Sequence, residues 1–112
     1  MVTAHAGGQR VFSTDVELEK TTVENQYLVE GRVTELKEGE DEIVEELISA
    51  PRMIVIVGKK AKISDLGDTQ VSVEVTWPTN AKGETQALIV VTQKQDKKLL
   101  SRSKVTIELE KE

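Results

Sequence analysis

Cysteine is absent from the 112-residue chain, and histidine appears once, as His5. Without thiols there are no disulfides, thiolate nucleophiles, iron–sulfur clusters or cysteine-bound zinc. With a single histidine, a zinc site or a catalytic triad would have to assemble around one residue near the N-terminus. A solvated tail residue is the simpler reading of His5. Aromatics are nearly missing too: Phe12, Tyr27 and Trp77 are the whole set, 3% of the chain. No apolar run approaches the ~20 residues that a membrane helix needs. The opening "MVTAHAGGQR" has no charged start followed by an apolar stretch, so no secretory signal is expected there.

A basic excess is missing as well. The chain carries 15 Lys and Arg against 20 Asp and Glu, a net charge of −5. Nucleic-acid binders usually pair a basic surface with interleaved aromatics. Nucleic acid is therefore not an expected partner. The sequence also contains no GxGxxG, GxxxxGK[ST], GxSxG or HExxH, the fingerprints of dinucleotide, phosphate, acyl-transfer and zinc-protease sites.

Carboxylates are abundant, with six acidic residues from Glu38 to Glu46. General acid–base catalysis needs two carboxyls in different environments, one buried enough to raise its pKa. Adjacent, mutually repelling groups do not supply that. The stretch "EGEDE" also lacks the alternating Asp/Asn ligands and terminal Glu of a calcium loop. Glu40, Asp41 and Glu42 read instead as a solvated acidic surface for contact with a partner. Ser49 has no partner base in sequence reach. The chain is read as a non-enzyme, with no cofactor and no metal.

What is present is strand chemistry. Fifteen valines and eleven threonines dominate the composition. Residues 1–9, with Gly7-Gly8, read as a flexible lead-in, and residues 10–112 as one β-rich domain. From Val11 onward the apolar period is two: Phe12, Thr14, Val16 and Leu18 share one face, opposite Ser13, Asp15, Glu17 and Glu19. Tyr27, Val29, Gly31 and Val33 repeat the pattern, with a bulge or a close neighbouring backbone as the usual reason for a mid-strand glycine. Ile43, Val44, Leu47 and Ile48 fit a short helical turn and a strand alike, and Pro51 ends any helix near Ser49.

Met53–Val57 is apolar on both faces, which predicts an interior strand. Gly58-Lys59 then predicts a two-residue hairpin turn, with Gly58 at positive φ, returning into Ala61 and Ile63. Val71, Val73, Val75 and Trp77 alternate cleanly up to Pro78. Gln86–Gln93 and Lys104–Leu109 complete the set, separated by the turn "KQDKK", where Lys94, Lys97 and Lys98 gather. The expectation is an all-β, mainly antiparallel, sandwich-like fold of about seven strands, with at most one short helix near 41–49.

The segment "LISAPRMIVIVGKKAKI", from Leu47 to Ile63, resembles the repeated core segment of bacterial secretins, the channel subunits of type II and III secretion. An apolar pair (Leu47-Ile48), a Ser-Ala-Pro (Ser49–Pro51), an alternating strand (Met53–Val57), a polar turn (Gly58–Lys60), Ala61 and Ile63 take the corresponding places. The likeness extends over 47–67, a weaker one covers 71–92, and the long barrel hairpins of that family are missing from the chain. What the resemblance implies is a soluble assembly domain of a bacterial envelope or secretion-related protein, located in the periplasm or envelope. Without it, a cytoplasmic location is the default.

Two functions are therefore set against each other. One is a protein-interaction or assembly domain, with a protein partner or weak self-association. The other is a carbohydrate- or peptide-binding sandwich that uses Trp77 as a stacking platform. A Trp77 packed on the core favours the first, and a Trp77 in an exposed polar groove favours the second. Charge adds a further expectation. Residues 1–50 hold twelve acidic and four basic side chains, whereas 51–112 hold eight acidic and eleven basic. The folded domain is expected to present opposed charged faces.

Overall fold

The computed structural model describes residues 10–109. These form eight strands and no helix: β1 (Val11–Lys20), β2 (Gln26–Glu38), β3 (Ile43–Ser49), β4 (Arg52–Ile56), β5 (Ala61–Leu66), β6 (Gln70–Thr76), β7 (Gln86–Gln95) and β8 (Lys98–Glu108). All pairings are antiparallel, in two sheets of four strands each. The all-β, sandwich-like reading of the sequence holds. His5 and the expected lead-in lie outside the described residues.

In the first sheet, β2 is central. It pairs with β1 along one side, and with both β3 and β4 along the other. Those two share one edge end to end: β4 takes Gln26–Glu30, and β3 takes Val33–Glu38. Pro51 explains the break between them. It has no N–H to give to a ladder, yet its carbonyl accepts a bond from the Gly31 N–H at 2.8 Å. A Cβ built on Gly31 would lie 3.2 Å from the Pro51 ring. The mid-strand glycine marks a close neighbour, as its position suggested.

The second sheet is a meander in the order β5-β6-β7-β8. The chain crosses into it at Ile56–Lys59, where the Lys59 N–H bonds to the Ile56 carbonyl at 3.0 Å and Gly58 has φ of 88°. The positive φ was expected, but Gly58 is the second central residue of the turn, the place where a type II turn requires it. The expected hairpin does not form, because β4 and β5 enter different sheets.

The core lies between the sheets. Tyr27, Val29 and Val33 of β2 and Val55 of β4 face Val71, Val73 and Val75 of β6 and Ile89 and Val91 of β7, all buried. Phe12, Val16, Leu18, Ile63 and Ile107, on edge strands, are half-buried and seal the sides. Removing these apolar surfaces from water is the main force joining the sheets.

Two sequence expectations change and one open choice is settled. Residues 43–49 are strand, because the β2 edge satisfies their backbone groups. Met53–Val57 is an edge strand rather than an interior one: Val55 is 1% exposed, but Ile54 is 54% and Ile56 44% exposed. The last strand starts at Lys98 instead of Lys104. Asp96 and Lys97, with φ of 50° and 67°, make a two-residue turn that lets the strands run up to it.

Candidate functional site

The sequence singled out Trp77 and the Glu40–Glu42 run, and the fold sends them to opposite ends of the sandwich. Trp77 follows β6, beside the β4–β5 turn, while Glu40, Asp41 and Glu42 form the tip of the β2–β3 connection. Trp77 is half-buried against the core, and its indole N–H donates to the Lys59 carbonyl at 2.8 Å. Its apolar body and its polar atom are both engaged internally. Glu40, Asp41 and Glu42 are exposed, on a turn closed by the Gly39 N–H to the Glu42 carbonyl at 2.6 Å.

The strand that follows this turn is the unusual one. Ile43, Val44 and Leu47 of β3 are 68%, 47% and 52% exposed. Among the described residues β3 pairs with β2 alone, so one row of its backbone groups faces outward. Natural edge strands are commonly blunted by lysine, proline, shortness or a bulge. Here Ile48 is the extra residue of a bulge, since Val33 pairs with Ser49 and Thr34 with Leu47. Beyond that bulge the edge is apolar and acidic, with Glu45 and Glu46 between its apolar residues.

Behind β3 the space between the sheets turns polar. Arg10 makes two bonds of 2.7 Å to the Glu35 carboxylate, sits 5.0 Å over the Phe12 ring, and reaches Gln95 at 3.4 Å. Its hydrogen bonds hold the Glu35 carboxyl below the usual range, against the opposing effect of burial. Lys37 is pushed up by its 2.7 Å contact with Glu46. Ser49 donates to Asp65 at 2.8 Å and ties β3 to β5 across the sheets. Gln93 is fully buried nearby in β7, and neither its amide nitrogen nor its amide oxygen has a partner. No three His, Cys, Asp or Glu side chains form a metal-holding group among the described residues.

The outward faces of the sheets differ in charge. On the first sheet Asp15, Glu17, Glu19, Glu30, Glu38 and Glu45 stand against Arg32 and Arg52. On the second, Lys62, Lys94, Arg102 and Lys104 stand against Glu74 and Glu108. Opposed faces were expected from the halves of the sequence. The participants were not all foreseen, because Arg102 fell outside the strand assigned from Lys104.

No family model, curated protein or solved structure matches this chain. The geometry therefore carries the functional reading. An edge with exposed Ile43, Val44 and Leu47 and an outward row of backbone groups can pair with an extended segment of another protein. The period-two pattern Ile43, Glu45, Leu47 was visible in the sequence. Its exposure was not, since only the pairing of β2 decides which strand takes the edge.

Proposed function

We propose that the domain is a non-enzymatic protein-interaction or assembly module that captures an extended partner segment along β3. The observation that carries this is the exposure of Ile43, Val44 and Leu47 on a strand paired on one side only among the described residues. Strand addition draws affinity from main-chain hydrogen bonds and specificity from alternate side chains. The flanking Glu40, Asp41 and Glu42 and the intervening Glu45 select a basic, apolar segment. They also discourage two identical edges from pairing, because like charges directly opposite are destabilising. The internal bonding of Trp77 supports this reading over a stacking platform for a ligand. The likeness of Leu47–Ile63 to the secretin core segment supports an assembly role in a bacterial envelope or secretion-related protein.

A synthetic peptide of alternating valine and lysine tests the edge. Titrated into the labelled domain, it should shift and protect the amides of Ile43–Leu47, and an alternating valine–glutamate peptide should not. Replacing both Ile43 and Leu47 with lysine should remove the effect. Protection centred on any other strand would refute the assignment.

A further inference from the structure

We infer that copies of this domain stack face to face, the acidic outer face of one first sheet against the basic outer face of the next second sheet. The inference rests on the same reading of the domain as an assembly module, but turns on the β1 carboxylates and the second sheet rather than on the β3 backbone edge. Asp15, Glu17 and Glu19 project from the same face of β1, and none has an ion-pair partner among the described residues. Glu17 stands directly opposite Glu30 across the β1–β2 ladder, a like-charge pair that costs stability. Among the described residues Arg52 alone comes within 4.0 Å of the pair, at 3.6 Å from Glu30, while Arg32 stands opposite Asp15 one outward position along.

The other face shows the converse. Lys62, Lys94, Arg102 and Lys104 also lack ion-pair partners among the described residues. They surround a shallow depression of about 350 Å³ whose floor includes Ser72 and Thr92, with Glu74, the one carboxylate in its lining, 3.8 Å from Lys60. Each outer face therefore holds an excess of unpaired charge of one sign, with Arg32 the unpaired exception on the first sheet and Glu108 on the second among the described residues, and the complement lies on the opposite side of the same molecule. A second copy satisfies both.

The spacing fits as well. Residues two apart on one strand repeat every ~6.6–6.8 Å. The Asp15, Glu17, Glu19 row and the Arg102, Lys104 row share that repeat, so they can be set in register. Because the two faces are different, the contact is head to tail and leaves a free face at each end. Such contacts generate open stacks rather than closed dimers. Exposed pairs are individually weak and screened, so the stack is salt-sensitive and grows with concentration.

The test is sedimentation velocity of the whole chain at about 20 mM and about 500 mM salt, where the screening length shortens from over 20 Å to under 5 Å. The wild-type chain should form oligomers of rising size at low salt and be monomeric at high salt. The D15N/E17Q/E19Q variant and the R102Q/K104Q variant should each be monomeric at low salt. Mixed in equal amounts they should form a dimer and nothing larger, because each retains one functional face. A wild-type chain that is monomeric at low salt would overturn the inference. So would oligomers that persist at high salt or in either variant. Oligomers lost only when Ile43 and Leu47 are replaced by lysine would place self-association on the β3 edge, and would equally defeat face stacking. Failure of the peptide test on β3 leaves these outcomes unchanged, so the two readings fall separately.

Discussion

Gly31 and Pro51 touch where the edge of the first sheet breaks: the Gly31 N–H bonds to the Pro51 carbonyl at 2.8 Å, and the proline ring occupies the space a side chain would need. The contact lets two short strands share one edge of β2. Gly31→Val should therefore destabilise the domain by about 1–3 kcal/mol through overpacking. Adding Pro51→Ala should recover part of that loss. Denaturant midpoints of the two single variants and the double variant measure the coupling, and strict additivity would show that the ring is not the obstacle.

Val55 and Ile54 are neighbours on β4 with opposite fates. Val55→Ala should cost about 2–4 kcal/mol, because its side chain is enclosed by the core. Ile54→Ala, on the outward face, should stay within about 0.5 kcal/mol. Urea unfolding distinguishes the two. Equal losses would mean that the outward face of β4 is covered.

Glu35 links stability to acid. Its carboxyl is held below the ordinary glutamate value by the Arg10 hydrogen bonds. Its contribution is therefore present above about pH 4.3, the unfolded value, and is lost as pH falls through the lower folded value. Glu35→Gln should cost about 1–3 kcal/mol at neutral pH by leaving the guanidinium poorly matched. It should also flatten the pH dependence of stability below about pH 4. Parallel acid-unfolding curves for the wild type and the variant would exclude this role.

Gln93 is buried with both amide atoms unpartnered. Leaving such a group unsatisfied is costly, so Gln93→Leu should stabilise the domain by about 1–3 kcal/mol. Thermal unfolding gives the sign directly. A lower melting temperature in the variant would show that the amide is satisfied in solution.

The alternation of apolar and polar residues was enough, without coordinates, to place most strands, the all-β class and the turn glycine at 58. These features are local. A two-residue period, a proline and a glycine at positive φ depend on a few neighbouring residues. Charge asymmetry was legible too, since each half of the chain builds most of one sheet.

Edge and interior positions were decided elsewhere. Met53–Val57 is apolar on both sides, yet β4 lies at an edge because β2 is long enough to pair with two strands in succession. The segment 43–49 fits helix and strand equally on its own. It becomes strand where the outer half of β2 offers it hydrogen bonds, and that pairing leaves Ile43, Val44 and Leu47 exposed. A strand's sequence sets which residues share a face. Which strand lies beside it depends on long-range packing and on the hydrogen bonds that only the assembled sheet can supply.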